Sequence, residues 1–213
     1  MAPIYIAYTD SDSDTFNSPT FSAYRNKYAV VMLAYYTSDG ASLPANISIG
    51  GNTMTKAVDV NASGTEVDAT IGIYYYPVPD SWNSTAKTVD VSGGTHASHH
   101  RAACVELAGV SGVGQTATDT NDEDVTITGC DDNSLLLNMI ASDGAATPAL
   151  SAGGVLIAAN NHDDGDNRYD RGWGWAYGYP SNGSNTFDWT ANDRCIAAAE
   201  FKSSIMTTAT VVF

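Results

Sequence analysis

Basic residues are scarce in this chain of 213 residues, in which nine Lys and Arg stand against 24 Asp and Glu, for a formal net charge of −15. A protein that binds nucleic acid or an anionic membrane surface needs cations to neutralise phosphate groups, so this balance argues against both partners. Hydrophobic runs of the roughly 18 residues that a membrane-spanning helix needs are also missing. The apolar share of 43% is nevertheless ample for a core. We therefore expect a folded acidic protein that binds neither nucleic acid nor membranes.

Reactive motifs are equally sparse. The three cysteines, Cys104, Cys130 and Cys195, form no CxxC pair, and they are expected to be buried free thiols. The GxSxG elbow, the HExxH motif and the P-loop do not occur. A hydrolase that uses two carboxylates is the weakest alternative, because the surroundings single out no pair of carboxylates. We predict that the protein is not an enzyme.

Amphipathic helices are absent from the pattern, since no stretch of eleven residues keeps the i, i+3, i+4, i+7 spacing of apolar residues without a break. The chain contains instead short runs rich in Val, Ile, Tyr, Thr and Ala, separated by turn-forming residues. These runs predict strands over 28–36, 46–49, 53–58, 67–76, 86–91, 100–109, 124–128, 134–141, 154–159, 172–179, 194–202 and 205–213. A sheet with so many strands must either close into a barrel or form two stacked sheets to bury one face. No segment of the sequence repeats with a fixed period, which favours a single domain. The predicted fold class is all-β, a single two-sheet antiparallel β-sandwich.

The run 67–76 indicates which of its faces is buried. Its alternation places Val67, Ala69, Ile71, Ile73 and Tyr75 on one face, and Asp68, Thr70, Gly72, Tyr74 and Tyr76 on the other. We expect the first face to lie inside the sandwich.

The two ends of the chain differ from its middle. Residues 9–20 are polar and turn-rich, so we expect residues 1–23 to form a surface segment ahead of a sandwich domain over residues 24–202. Residues 203–213 follow as a β-strand arm whose last nine residues carry no charged side chain. Such a β-prone segment aggregates unless it is paired. We predict that the arm binds a neighbouring subunit through its apolar residues, Ile205, Met206, Val211, Val212 and Phe213.

An aromatic row occupies one predicted strand. Trp173, Trp175, Tyr177 and Tyr179 alternate there with residues that have little or no side chain. The row either fills the core while the glycines admit close neighbours, or forms an exposed platform on which a ligand stacks. We favour the first interpretation and keep the second open.

An acidic loop precedes this strand. Asp163, Asp164, Asp166 and Asp170 lie around a glycine, and oxygen ligands grouped in this way can bind Ca²⁺. The spacing of an EF-hand is missing, and a solvated connecting loop is the favoured interpretation. We therefore expect no cofactor and keep Ca²⁺ at this loop as an open alternative.

The order of the segments resembles that of a known family. The segments that carry the resemblance are 26–35, 47–55, 71–79, 87–92, 103–110 and 194–201. Their layout over residues 24–202 is similar to the jelly-roll-like sandwich of virion proteins of tailed bacteriophages, notably capsid decoration and head-fibre proteins. The resemblance implies a jelly-roll-like, non-enzymatic component of the virion, often a homotrimer, that contacts the major capsid protein or another virion protein. It implies no catalytic residue.

Two functions from different classes follow. The first is that of a structural virion protein, a capsid decoration (cement) or head-fibre protein of a tailed bacteriophage that binds the capsid lattice. The alternative is a carbohydrate-binding or receptor-binding β-sandwich module, in which the aromatic row stacks on sugar rings and the acidic loop holds Ca²⁺. An exposed aromatic row would favour the alternative, and a buried row would count against it.

Overall fold

A computed structural model describes residues 6–36, 43–44, 46–62, 69–92, 99–120, 124–143, 146–162, 171–191 and 194–204. Within these ranges the chain forms seventeen β-strands and one short 3-10 turn. None of the helical structure in the described ranges is long and apolar enough to cross a membrane. The prediction of an all-β sandwich is confirmed.

The strands fall into two successive halves. The first half contains β1 (Ile6–Ser11), β2 (Thr15–Asn17), β3 (Lys27–Tyr36), β4 (Ser48–Ile49), β5 (Asn52–Thr53), β6 (Thr55–Asn61), β7 (Ala69–Val78), the 3-10 turn Asp80–Trp82, β8 (Thr88–Asp90) and β9 (His99–Leu107). The second half contains β10 (Val110–Asp119), β11 (Asp124–Thr128), β12 (Leu135–Asp143), β13 (Ala149–Ala152), β14 (Val155–His162), β15 (Arg171–Gly178), β16 (Ser184–Thr190) and β17 (Arg194–Ser203). The halves meet at Gly109, whose φ of 76° is one that a residue with a side chain rarely adopts.

Each half folds into one large and one small antiparallel sheet. In the first half the large sheet has the order β1-β9-β3-β7-β6 and the small sheet the order β2-β8-β4-β5. In the second half the large sheet has the order β10-β17-β12-β15-β14 and the small sheet the order β11-β16-β13. β5 has no counterpart among the described strands of the second half; when it is left out, the strands of the two halves correspond in chain order and occupy the same places in their sheets. The molecule therefore consists of two sandwiches with the same strand order, arranged in tandem.

The strand registers repeat as well. Met32 in β3 lies opposite Ala103 of β9, and Met139 in β12 lies opposite Ala197 of β17. The β-bulge that interrupts the pairing of β6 with β7 recurs at the corresponding place where β14 pairs with β15. Together the registers make these positions equivalent: Lys56 and Leu156, Asp59 and Ala159, Gly72 and Gly174, Tyr74 and Ala176, Glu106 and Glu200.

Each half buries one glutamate at the equivalent position of its last strand. Glu106 accepts hydrogen bonds from the backbone N–H of Ser22 at 2.9 Å and from its hydroxyl at 2.6 Å. Glu200 accepts hydrogen bonds from the backbone N–H of Asp131 at 2.8 Å and from the hydroxyl of Ser134 at 2.5 Å. A fully buried carboxyl group is tolerated where such donors replace water. In both halves the glutamate thus ties the last strand to the segment that leads into the third strand.

The four sheets stack in the order small, large, large, small. The central core between the two large sheets contains Val30, Met32, Tyr36, Ile71, Ile73, Val105 and Leu107 of the first half, and Leu135, Leu137, Met139, Trp173, Trp175 and Phe201 of the second. The outer cores include Phe21, Val31, Leu33, Tyr35, Ile49 and Val89 in the first half, and Val125, Leu136, Ile140, Phe187 and Trp189 in the second. The inner strands of both large sheets are therefore buried on both faces.

The domain organisation differs from the prediction in two respects. The sequence predicts one two-sheet sandwich over residues 24–202, whereas the structure has four sheets in two tandem sandwiches. The two halves repeat each other in strand order and register, which the amino-acid sequence does not display as a repeated segment. Residues 1–23 were expected to form a surface segment, but β1 pairs with β9, β2 pairs with β8, and Phe21 is buried. The polar composition of this segment reflects the position of β1 and β2 at sheet edges, where one side faces water.

The shared central core predicts that the two halves unfold together, in a single thermal transition. Trp175→Ala should lower the free energy of unfolding by about 3–5 kcal/mol, because it leaves a cavity where a fully buried ring packs. Tyr179→Ala is the matched control, since that ring is 45% exposed, and it should cost less than about 1 kcal/mol. Differential scanning calorimetry measures both effects. Two separate transitions, or a Trp175→Ala variant in which one half melts normally, would contradict a shared core.

Candidate functional site

Two sets of predicted site residues fall outside the described residues. They are the calcium candidates Asp163, Asp164, Asp166 and Asp170, and the partner-binding residues Ile205, Met206, Val211, Val212 and Phe213. In the part of the chain that is described, no group of three or more His, Cys, Asp and Glu residues could hold a metal ion. The calcium site and the arm both stay predictions.

The aromatic row lies mainly inside the protein. Trp173 and Trp175 are 3% and 0% exposed and belong to the central core, and Tyr177 packs against that core. The exposed member of the row is Tyr179, which contacts Tyr177 edge-on with ring centres 6.0 Å apart. The interpretation of Trp173 and Trp175 as a ligand-stacking platform is therefore wrong for the single chain. β15 lies within a large sheet of the four-layer stack, and its aromatic face is turned toward the other large sheet.

The glycine face of β15 is turned toward the small sheet of the second half. A Cβ atom on Gly174 would lie 2.7 Å from the ring of Trp189, and one on Gly178 would lie 3.0 Å from the ring of Phe187. Trp189 is fully buried and donates a hydrogen bond from Nε1 to Oδ1 of Asn138 at 2.7 Å. The glycines are needed because large rings occupy the space where side chains would lie, which confirms the favoured interpretation of the row.

The three thiols are buried, as expected. Burial raises the pKa of Cys130 to about 11 and that of Cys195 to about 12. Burial also raises the pKa of Cys104, and the nearby carboxyl group of Glu106 adds to the shift. Because the thiolate is the reactive form, these protonated thiols are poor nucleophiles at neutral pH.

A pocket of about 380 Å³ opens at the edge of the first sandwich, between β6 and β7 of the large sheet and the chain around β4. It is lined by Leu43, Pro44, Ile47, Met54, Lys56, Asp59, Asn61, Thr70 and Tyr74, and we call it the edge pocket. Its volume lies within the range of about 300–1,000 Å³ that is usual for small-molecule sites. Ile47, Met54 and Tyr74 give it a buried apolar floor.

Polar groups line one wall of the edge pocket. Nζ of Lys56 and Oδ2 of Asp59 form an ion pair at 2.9 Å, with both side chains about half exposed. The hydroxyl of Thr70 donates a hydrogen bond to Oδ1 of Asn61 at 3.0 Å. Burial, reinforced by the negative charge of Asp59, raises the pKa of Tyr74, so its hydroxyl remains a hydrogen-bond donor at neutral pH. An aromatic floor beside carboxylate, amide and hydroxyl groups suits a ligand that has both apolar and hydroxyl-bearing faces.

The second sandwich provides an internal comparison for this pocket. The ring of Tyr74 lies over Gly72, where a Cβ atom would be 2.7 Å away, and the equivalent Gly174 is covered by Trp189. Trp189 fills the space between the sheets of the second half, since it is fully buried. The residues equivalent to Lys56 and Asp59 are Leu156 and Ala159. The polar wall, like the pocket, therefore belongs to the first half and has no counterpart at the equivalent positions of the second.

A larger cleft of about 560 Å³ lies at the opposite end of the strands, lined by Arg25, Asn26, Lys27, Tyr28, Pro77, Val78, Pro79, Asp80, Val110, Ser111 and Ser204. Its buried cation, Lys27, donates hydrogen bonds to the carbonyl of Tyr24 at 2.8 Å and to Oδ1 of Asn83, and lies 3.8 Å from Asp80. These contacts join β3 to the turn after β7. The Lys27 ammonium group therefore has a structural role.

The sequence pattern gives little sign of the edge pocket. Alternation with Ile71 and Ile73 placed Thr70 and Tyr74 on the outer face of a strand, yet both are buried, at 4% and 6% exposed. The one feature of the sequence that could indicate the edge pocket is the pair of charged residues Lys56 and Asp59, and such a pair is equally expected on an ordinary edge strand.

Comparison with known proteins finds no family model, no curated relative and no solved structure that matches this chain.

The contrast between the two halves predicts different responses to the same substitution. Gly174→Ala should lower the free energy of unfolding by about 1–3 kcal/mol, because Trp189 has no space into which to move. Gly72→Ala should cost less than about 1 kcal/mol, because Tyr74 and Leu43 line the edge pocket and can shift into it. Urea denaturation of both variants checks this. Equal losses of unfolding free energy in the two variants would show that Tyr74 and Leu43 cannot move into the edge pocket.

Proposed function

We propose that this protein is a structural protein of the virion of a tailed bacteriophage, a capsid decoration or head-fibre protein that binds the capsid lattice. The observation that carries the proposal is the strand order. In the large sheet of each half the first strand lies beside the last, the last beside the third, and the third beside β7 or its counterpart β15. β6 or its counterpart β14 extends this sheet at its edge, and the other strands form the small sheet. This order supports a jelly-roll assignment for each half, and jelly rolls are common among viral capsid proteins.

The direction of the strands supports attachment through one end of the molecule. β3 and β6 finish at the same end of the first large sheet because both are antiparallel to β7, and β12 and β14 finish at the same end of the second because both are antiparallel to β15. The hydroxyl of Tyr36, at the end of β3, donates a hydrogen bond to the carbonyl of Gly172, at the start of β15. The corresponding ends of both large sheets therefore lie side by side, and we propose this end of the molecule as the one that binds the lattice.

The reactive side chains are used structurally, which supports a non-enzymatic role. The buried carboxyl groups of Glu106 and Glu200 bind backbone and serine donors, and the thiols are protonated. The resemblance to decoration and head-fibre proteins further implies a homotrimer in contact with the major capsid protein.

The test is whether the chain is a constituent of particles. Purified particles of the phage that carries the gene should contain the chain at a fixed ratio to the major capsid protein, as measured by quantitative mass spectrometry. Particles made without the gene should bind added purified protein up to the same ratio in co-sedimentation, with an unrelated acidic protein as control. The proposal would be wrong if mass spectrometry found no copies of the chain in the particles and the added protein stayed in the supernatant in co-sedimentation.

A carbohydrate-binding or receptor-binding module is the second candidate, and the observation that favours it is the edge pocket. In this version the ligand binds at Tyr74 and Asp59 of the first half, away from the buried tryptophans. A jelly-roll assignment is compatible with it, because lectin domains also use this architecture.

Glycan-array binding followed by titration calorimetry tests this candidate. Asp59→Asn should weaken the binding of a retained glycan by at least about tenfold, because it removes a charged acceptor from the pocket wall. Asp124→Asn, on an exposed position of the second half, should leave the affinity unchanged. An array that retains no glycan, or equal affinity in both variants, would exclude the edge pocket as a sugar site.

A further inference from the structure

The two large sheets end in edge strands of opposite character. β6 is the last strand of the first large sheet and β14 is the last strand of the second, and both carry the same β-bulge. β6 carries Lys56 and Asp59, whose side chains are 52% and 42% exposed. The equivalent residues of β14 are Leu156 and Ala159, and residues 155–161 contain no charged residue.

Charged side chains on an edge strand oppose pairing with another chain, because a partner strand would remove them from water. β6 has this protection and β14 lacks it. Val155 and Leu156 of β14 are 52% and 46% exposed, and they are among the few large apolar side chains that the described residues leave open to solvent. The edge of the second large sheet therefore has the composition of a strand that receives a partner.

We propose that β14 is the docking site for residues 205–213 of a second copy of this chain, which add a strand to the second large sheet. The composition of the two segments supports this pairing. Each copy has a net charge of −15, so two copies repel each other, and the repulsion is weakest when the contact is made through segments that carry no charge. Residues 155–161 and 205–213 are uncharged runs of similar length, and the second is rich in Thr, Val and Ile.

Strand direction identifies the donor as a second copy. β17 ends at Ser203, and its neighbours β12, β15 and β14 follow in alternating directions, so β14 begins at the end of the sheet where β17 finishes. To pair with the free edge of β14, the chain's own residues 205–213 would have to cross four strand spacings, roughly 19 Å, and could then run only parallel to β14. A second copy can supply the segment antiparallel to β14, as in every other strand pair described in these sheets.

The first experiment places charged side chains on β14 to test whether they prevent its pairing with another chain. Leu156→Lys combined with Ala159→Asp gives β14 the charges that β6 carries at the equivalent positions. Sedimentation velocity over a concentration series should show oligomers for the wild-type protein and a dissociation constant raised at least about tenfold for the double variant. Tyr8→Lys, at a 43% exposed position of the edge strand β1, is the matched control and should assemble like the wild type. The thermal midpoint of each variant reports whether it is folded.

The second experiment identifies the occupant. A protein that lacks residues 205–213 should be monomeric, and a fluorescent peptide of sequence 205–213 should bind it, as measured by anisotropy. The same peptide should bind at least about tenfold more weakly when the truncated protein also carries Leu156→Lys and Ala159→Asp.

Three outcomes would overturn the inference. They are a wild-type protein that stays monomeric over the whole concentration series, a truncated protein that still assembles, and a peptide that binds the truncated protein with the same affinity whether or not β14 carries the substitutions. The second outcome, combined with loss of assembly when the truncated protein also carries the two β14 substitutions, would indicate that β14 pairs with β14 of another copy. The inference concerns self-assembly and does not depend on the proposed virion function. Because these experiments contain no capsid, either proposal can fail alone.

Discussion

The packing of the two large sheets against each other is the interaction on which the rest of the structure depends. It buries Met32, Ile73 and Val105 of one half against Met139 and other apolar residues of the other half. Each large sheet is also covered on its far side by a small sheet, so its inner strands are buried on both faces over most of their length. The two buried glutamates enter these strands with hydrogen-bond donors that replace water. The hydroxyl of Ser142 and Nε1 of Trp175 are buried there without a hydrogen-bond partner among the described residues. Chemistry that needs water or a substrate is thereby confined to edges and strand ends.

The duplicated frame allows the two halves to differ where the frame does not constrain them. Both keep the glutamate on the last strand and the glycine under an aromatic ring, because strand closure and sheet spacing require them. They differ at the free edges of the large sheets. There the first half has a pocket with a polar wall, and the second half has a filled core and an apolar edge. Comparison within one chain thus separates structural requirements from features that are open to function.

The sequence predicts the inner strands well and the outer ones poorly. β3, β9, β12 and β17 form continuous apolar runs because both of their faces are buried, and such runs are easily recognised. β1, β2, β10, β13 and β16 lie at edges or in the small sheets, where polar residues and glycines are tolerated, and their segments resemble loops. Thr70 and Tyr74 lie on the face opposite Ile71 and Ile73, as the alternation predicts, but that face is buried too. Alternation alone indicates one buried face and therefore does not predict their burial. The tandem repeat lies in strand registers, and registers cannot be seen before strands are paired.

The strand order also constrains how the protein is made. β9 is the last strand of the first half and must insert between β1 and β3, so that Ile6 meets Leu107 only after the whole half has left the ribosome. The outer core of the first half is then complete, but the face of its large sheet that belongs to the central core stays uncovered until β12, β15 and β17 have been made. At ordinary rates of synthesis this interval is on the order of 5–20 s. During that time a nascent chain exposes an apolar sheet face of the kind that chaperones bind and that drives aggregation. The supply of chaperones during translation is therefore expected to limit how much of this protein a cell can accumulate.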